Sequence, residues 1–309
     1  MKHGYGKRVP VILDTDIGGD IDDTWALAML LKSPELDVKL VVSDTANTTY
    51  RAKIIAKMLE TAGRTDVPVG VGIHLSDDIG PQQEWVEDYQ LASYKGKVYQ
   101  DGVKAIIDTI MNSPRPVTLV CIGPVPNIAA ALEREPRIAQ KARFVGMHGC
   151  LRKSPWGYNG KEGGLVAEYN VYANPKALQK VFEASWPITI TPLDTCGFVR
   201  LKGEKYCAVR DCNDPVVQAL MENYKVWLKK RGDTQQFETQ STILFDTVAV
   251  YLAFSEELLV MQELGIRVTD DGYTLIDDKA RRVNCAVEWR DLSAYEDFLV
   301  ARLTGKKLV

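Results

Sequence analysis

Five aspartates, Asp14, Asp16, Asp20, Asp22 and Asp23, fall within ten residues near the start of the chain. So many like charges in one short stretch repel unless a cation or bound hydroxyls compensate them. Donor sets made only of oxygen are what a hard cation such as Ca²⁺ or Mg²⁺ selects. One or two such residues serve as caps and turn formers. Five together point to a metal or polyol site.

The pattern around them predicts where they sit. Residues 9–13 form an apolar run that reads as a buried strand and stops at Asp14. A Gly18-Gly19 turn follows, and a helical pattern starts at Asp22. This is a strand–loop–helix unit, the opening of an α/β fold. Asp22 and Asp23 then lie near a helix N-terminus, which favours negative charge. Ligands of open α/β sheets bind at the carboxyl ends of the strands.

Further polar groups recur at predicted strand ends. Asn47 follows a strand over 38–43, and the turn 122–127 follows a strand over 116–122. Met147 and His148 close a strand over 143–147. Glu168 and Asn170 are two apart, so in an extended piece both side chains point the same way. A carboxylate beside an amide suits ribose, whose hydroxyls both donate and accept. Asp246 interrupts an apolar helical pattern. A buried lone carboxylate is costly unless paired or on a metal, and the other reading is a helix N-cap. His74 opens a long stretch over 74–97 that holds Gly80-Pro81 and Trp85. Such a stretch reads as a lid or binding loop. His74 and His148 are the candidate acids, and His3 lies near the terminus. Gly18-Gly19 belongs to neither GxGxxG nor a P-loop, so no nucleotide-phosphate cradle is indicated.

Bulk properties narrow the class. The 309 residues are 46% apolar, enough for a sizeable core without staples. A net charge of −3 argues against a nucleic-acid surface. The six cysteines show no CxxC spacing and read as reduced thiols of a cytosolic protein. No signal peptide is evident and no apolar stretch is long enough to span a bilayer. With no linker or repeat, the expectation is one domain over 1–309, a mainly parallel open sheet flanked by helices.

The motifs, taken in order, resemble those of the inosine–uridine preferring nucleoside hydrolase family over nearly the whole chain. They are Asp14-Thr-Asp16…Asp22-Asp23, Asn47, Gly123-Pro-Val-Pro-Asn127, Met147-His148-Gly149, and Glu168-Tyr-Asn170 ahead of Asn174-Pro175. The resemblance implies a Rossmann-like core and Ca²⁺-dependent hydrolysis of N-ribosidic bonds, in a homodimer or homotetramer. It implies metal ligation by Asp16, Asp23, Asp246 and the carbonyl of Ile122, with Asp16 as general base. Asp22, Asn47, Glu168 and Asn170 would hold the ribose, with Met147 under the sugar.

Two departures bear on these roles. The Asp loop is longer than the family's usual one, so Asp20 is an alternative to one assigned carboxylate. Phe245 stands before Asp246, where many members carry a histidine that protonates the leaving base. Phe245 and Trp85 are therefore expected to sandwich a purine, with His148 the competing source of the proton. Two other functions fit parts of the pattern. A haloacid dehalogenase-type phosphatase would use Asp14 as nucleophile and Asp16 as acid. A non-catalytic nucleoside or ribose binder would keep the metal alone.

Overall fold

The computed structural model describes residues 8–156 and 164–306. Its ten strands are β1 (Val9–Thr15), β2 (Leu36–Ser43), β3 (Val69–Gly70), β4 (Val98–Tyr99), β5 (Val117–Cys121), β6 (Ala142–Met147), β7 (Ile188–Thr191), β8 (Leu259–Val268), β9 (Thr274–Ile276) and β10 (Arg282–Trp289). They form one sheet in the order β4-β3-β2-β1-β5-β6-β7-β10-β8-β9. Pairings from β4 through β7 to β10 are parallel, and β8 joins β10 and β9 antiparallel.

The central strands are buried on both faces, which is why they read as continuous apolar runs. Along β1, Val11 and Leu13 face one core and Ile12 the other, as a period of two requires. One core takes helices Asp22–Leu31, Thr48–Thr61, Pro215–Arg231 and Leu292–Thr304. The other takes Gly102–Met111, Pro126–Arg134 and Pro175–Glu183. All six cysteines are free thiols. No described helix is long and apolar enough to cross a membrane.

The chain leaves β1 for β2 on one side and β5 pairs on the other, so a crevice opens beyond the ends of β1 and β5. Two elements differ from the sequence expectation. The 74–97 stretch contains 3₁₀ turns at Gln83–Val86 and Leu91–Ser93. Glu168 and Asn170 do not lie on an extended piece: Glu168 caps a short helix, Tyr169–Ala173.

Candidate active site

A cavity of about 510 Å³ occupies the crevice. Its lining brings together Asp16, Asp22, Asp23, Ile122, Met147, Glu168, Asn170, Phe245 and Asp246, all expected from sequence. Asp20 lines it too. Asp22 and Asp23 enter on the first turn of helix Asp22–Leu31, and Asp246 sits at the start of helix Thr247–Leu252. Asp246 holds the N-cap position, yet its carboxyl caps nothing. It turns instead to Asp22 and Asp23, and oxygen atoms of the three lie within 4.8 Å of one another.

Burial first, then repulsion from neighbouring carboxylates that include Asp16 and Asp20, holds the Asp22, Asp23 and Asp246 carboxyls well above the ordinary range. Three buried carboxylates this close need a shared proton or a cation. The donor set is all oxygen and fits a hard divalent ion. Thr15 donates its hydroxyl to Asp23 at 2.5 Å and so orients one member. Asp16 stands beside the trio, with the Arg51 guanidinium 3.6 Å from its carboxylate. Burial raises the Asp16 carboxyl, and Arg51 opposes the rise.

Glu168 accepts from the backbone N–H groups of Gly149 (3.0 Å), Asn170 (2.8 Å) and Val171 (3.3 Å). Burial nevertheless pushes its carboxyl up to about 7. The Asn170 amide donates to the carbonyls of Ile122 (3.2 Å) and Met147 (3.0 Å), tying the ends of β5 and β6 together. At the mouth, Trp156 packs on Phe245 with ring centres 5.6 Å apart and planes tilted by 43°.

Four residues expected at the site lie outside the cavity lining. Asn47 spends its side-chain oxygen on the N–H of Tyr50, capping helix Thr48–Thr61. His148 is 0% exposed, bonds Nε2 to the Gly123 carbonyl at 3.0 Å and packs on Phe144. Burial depresses its pKa to about 4, so it stays neutral. Trp85 is 7% exposed and lies under the Lys57 ammonium, 4.2 Å from the ring centre. The Trp85–Phe245 sandwich is thereby corrected: the aromatic partner of Phe245 is Trp156. His74 is exposed and paired with Asp77.

The phosphatase alternative fails on geometry as well. Asp14, its nucleophile, is fully buried and accepts from the Asn127 amide at 2.8 Å rather than facing the cavity.

Sequence reasoning missed Arg51, Trp156, Tyr169 and Tyr172, all of which line the cavity. For Arg51 a signal existed. It falls in the first turn of the helix after β2, and that turn starts at the sheet's carboxyl edge.

The family described as inosine-uridine preferring nucleoside hydrolase matches residues 11–296. Among curated proteins, the pyrimidine-specific ribonucleoside hydrolase RihA of Citrobacter koseri is 28% identical over 283 residues, covering 85% of both chains. RihA of Escherichia coli O7:K1 is 27% identical over 283 residues with the same coverage. Among solved structures, the plant nucleoside hydrolase PpNRh1 superposes with a TM-score of 0.81 at 23% identity, covering 96% of this chain and 99% of that one. The purine-preferring ribonucleoside hydrolase from Gardnerella vaginalis gives 0.76 at 22% identity, covering 96% and 98%. At these identities the structural likeness speaks to the fold.

Proposed function

The chain belongs to the inosine–uridine preferring nucleoside hydrolase family, and on that premise we propose that its hydrolysis of ribonucleosides depends on Ca²⁺ and prefers purines. The observation that carries the metal reading is the convergence of Asp22, Asp23 and Asp246 at the cavity floor. These three would hold the ion, with the carbonyl of Ile122 beside them. Relative to the assignment drawn from the sequence resemblance, Asp22 joins the metal set. Asp16, engaged by Arg51, serves as the base.

A bound Ca²⁺ would offset most of the trio's negative charge and lower the pKa of a nearby water. Asp16 takes the proton of the attacking water. Arg51 opposes the rise that burial imposes on Asp16 and so favours its ionised form. Glu168 and Asn170 meet the ribose hydroxyls, and their backbone bonds fix both side chains before substrate arrives. The water oxygen bonds to the anomeric carbon as the bond to the base breaks, and the base leaves with the electron pair. Phe245 and Trp156 stack the departing base. A bicyclic purine covers more of that aromatic surface than a pyrimidine does, which is the ground for the purine preference.

The test is release of free base from inosine, adenosine, guanosine, uridine and cytidine, with Ca²⁺ and after its removal by a strong chelator. Purine release that stops on chelation and returns with Ca²⁺ is expected. Phe245→Ala should lower kcat/KM for inosine by roughly tenfold or more, because stacking a base contributes about 1–3 kcal/mol. Turnover that survives full metal removal would overturn the metal dependence. Faster cleavage of uridine than of any purine would overturn the preference.

A further inference from the structure

The loop that joins β1 to helix Asp22–Leu31 carries Asp16 and Asp20 and leads into Asp22 and Asp23, yet its own backbone is held from outside. Four successive carbonyls, those of Ile17, Gly18, Gly19 and Asp20, each accept from a side chain. Arg51 reaches Ile17 at 3.4 Å and Tyr50 reaches Gly18 at 3.1 Å. The Trp227 indole reaches Gly19 at 3.0 Å, and the Gln82 amide reaches Asp20 at 2.8 Å. The donors come from helix Thr48–Thr61, helix Pro215–Arg231 and the 74–97 stretch.

The clamp is itself fixed. Gln82 is 0% exposed, and its side-chain oxygen accepts from Thr24 at 3.2 Å and Asn223 at 2.7 Å. Thr24 is the residue after Asp23, so one amide ties the loop backbone to the metal-facing turn. Contact is too close for any side chain at Gly80, where a Cβ would fall 1.9 Å from the Gly18 carbonyl oxygen. Gly18 has φ of +107°, a conformation that glycine alone adopts readily.

We propose that Tyr50, Gln82 and Trp227 are positioning residues, which set the spacing of Asp16, Asp22 and Asp23 through the carbonyls of the intervening loop. The proposal rests on the reading of the Asp22–Asp23–Asp246 trio as a Ca²⁺ site. Groups that orient metal ligands from behind alter affinity without touching the ion, by about 10- to 100-fold when removed. Bringing three like charges together opposes the loop's own electrostatics, so an unclamped loop relaxes toward wider spacing.

The experiment measures Ca²⁺ affinity by competition with a calcium-chelating dye, starting from the loaded protein. Tyr50→Phe deletes one hydroxyl and keeps the ring. Trp227→Phe deletes the indole N–H. Tyr206→Phe is the control, because Tyr206 is equally buried and donates to the Phe237 carbonyl at 2.6 Å, away from the cavity. Each clamp variant is expected to weaken Ca²⁺ binding at least about tenfold, while Tyr206→Phe lowers Tm and leaves Ca²⁺ affinity unchanged. If all three lower Tm alike and none shifts affinity, the clamp is structural only and the proposal is overturned. A parent protein that binds no Ca²⁺ would instead sink the metal reading beneath it.

Discussion

The 74–97 stretch and the loop that follows β6 each carry a tryptophan, and only the second of these rings reaches the cavity. Trp85 is roofed by Lys57 and its loop donates a buried amide inward to the Asp20 carbonyl. Trp156 is 59% exposed and meets Phe245 at the mouth. The difference lies in what each loop finds beneath it. The first lies over unsatisfied backbone of the Asp loop and becomes a buttress. In the second, Trp156 lines the cavity mouth and offers its ring to whatever enters.

The largest effect that separates them is on stability. Trp85→Ala removes a buried ring and is expected to cost about 3–5 kcal/mol of folding stability. The ratio of rates between purine and pyrimidine nucleosides should stay as it was, read by denaturant unfolding beside a substrate panel. A changed ratio would place Trp85 back among the base-contacting groups.

His148, fully buried at the root of the second loop, sharpens the contrast. Its pKa is depressed from 6.5 to about 4 by burial, so between those values the unfolded chain binds the extra proton. The neutral ring's contribution is fully present above about pH 6.5 and is lost as pH falls toward 4, for about 3 kcal/mol in all. Stability curves of the parent and His148→Gln, taken at saturating Ca²⁺, should therefore converge on acidification. Parallel curves would mean that the histidine is not buried neutral.

Trp156→Ala should give the smallest change in free energy and the most selective one. Its exposed ring adds little to the core, so Tm should hold. Loss of stacking should lower kcat/KM for a purine nucleoside by roughly tenfold, within the 1–3 kcal/mol expected of a base on an aromatic ring. A drop in Tm with unchanged kinetics would erase the distinction between the two loops.

Much of this arrangement was legible in the sequence. The strand that runs into Asp14 and the helix that starts at Asp22 follow from periodicity and caps. The carboxylates were legible because their density has no cheap structural explanation. What was not legible is direction. Trp85 and Trp156 both sit in loops, and Lys57, on a different element, decides where the first one packs. Asn47 carries the right chemistry for a ribose, but a helix N-terminus claims its oxygen first. Glu168 and Asn170 share the cavity through a capped turn, not through strand alternation.

The span of the contacts around the Asp loop bears on how the molecule is made. Trp227 meets Gly19 across 208 positions, and Asn223 meets Gln82 across 141. Closing such long loops is an entropic cost that only late contacts repay. A chain emerging from the ribosome holds its five aspartates from the outset and lacks Trp227 until about three quarters of its 309 residues are made. On the proposed Ca²⁺ reading, tight binding of the ion would report completed folding, because a copy cut short before residue 227 lacks both Trp227 and the third carboxylate of the trio, Asp246.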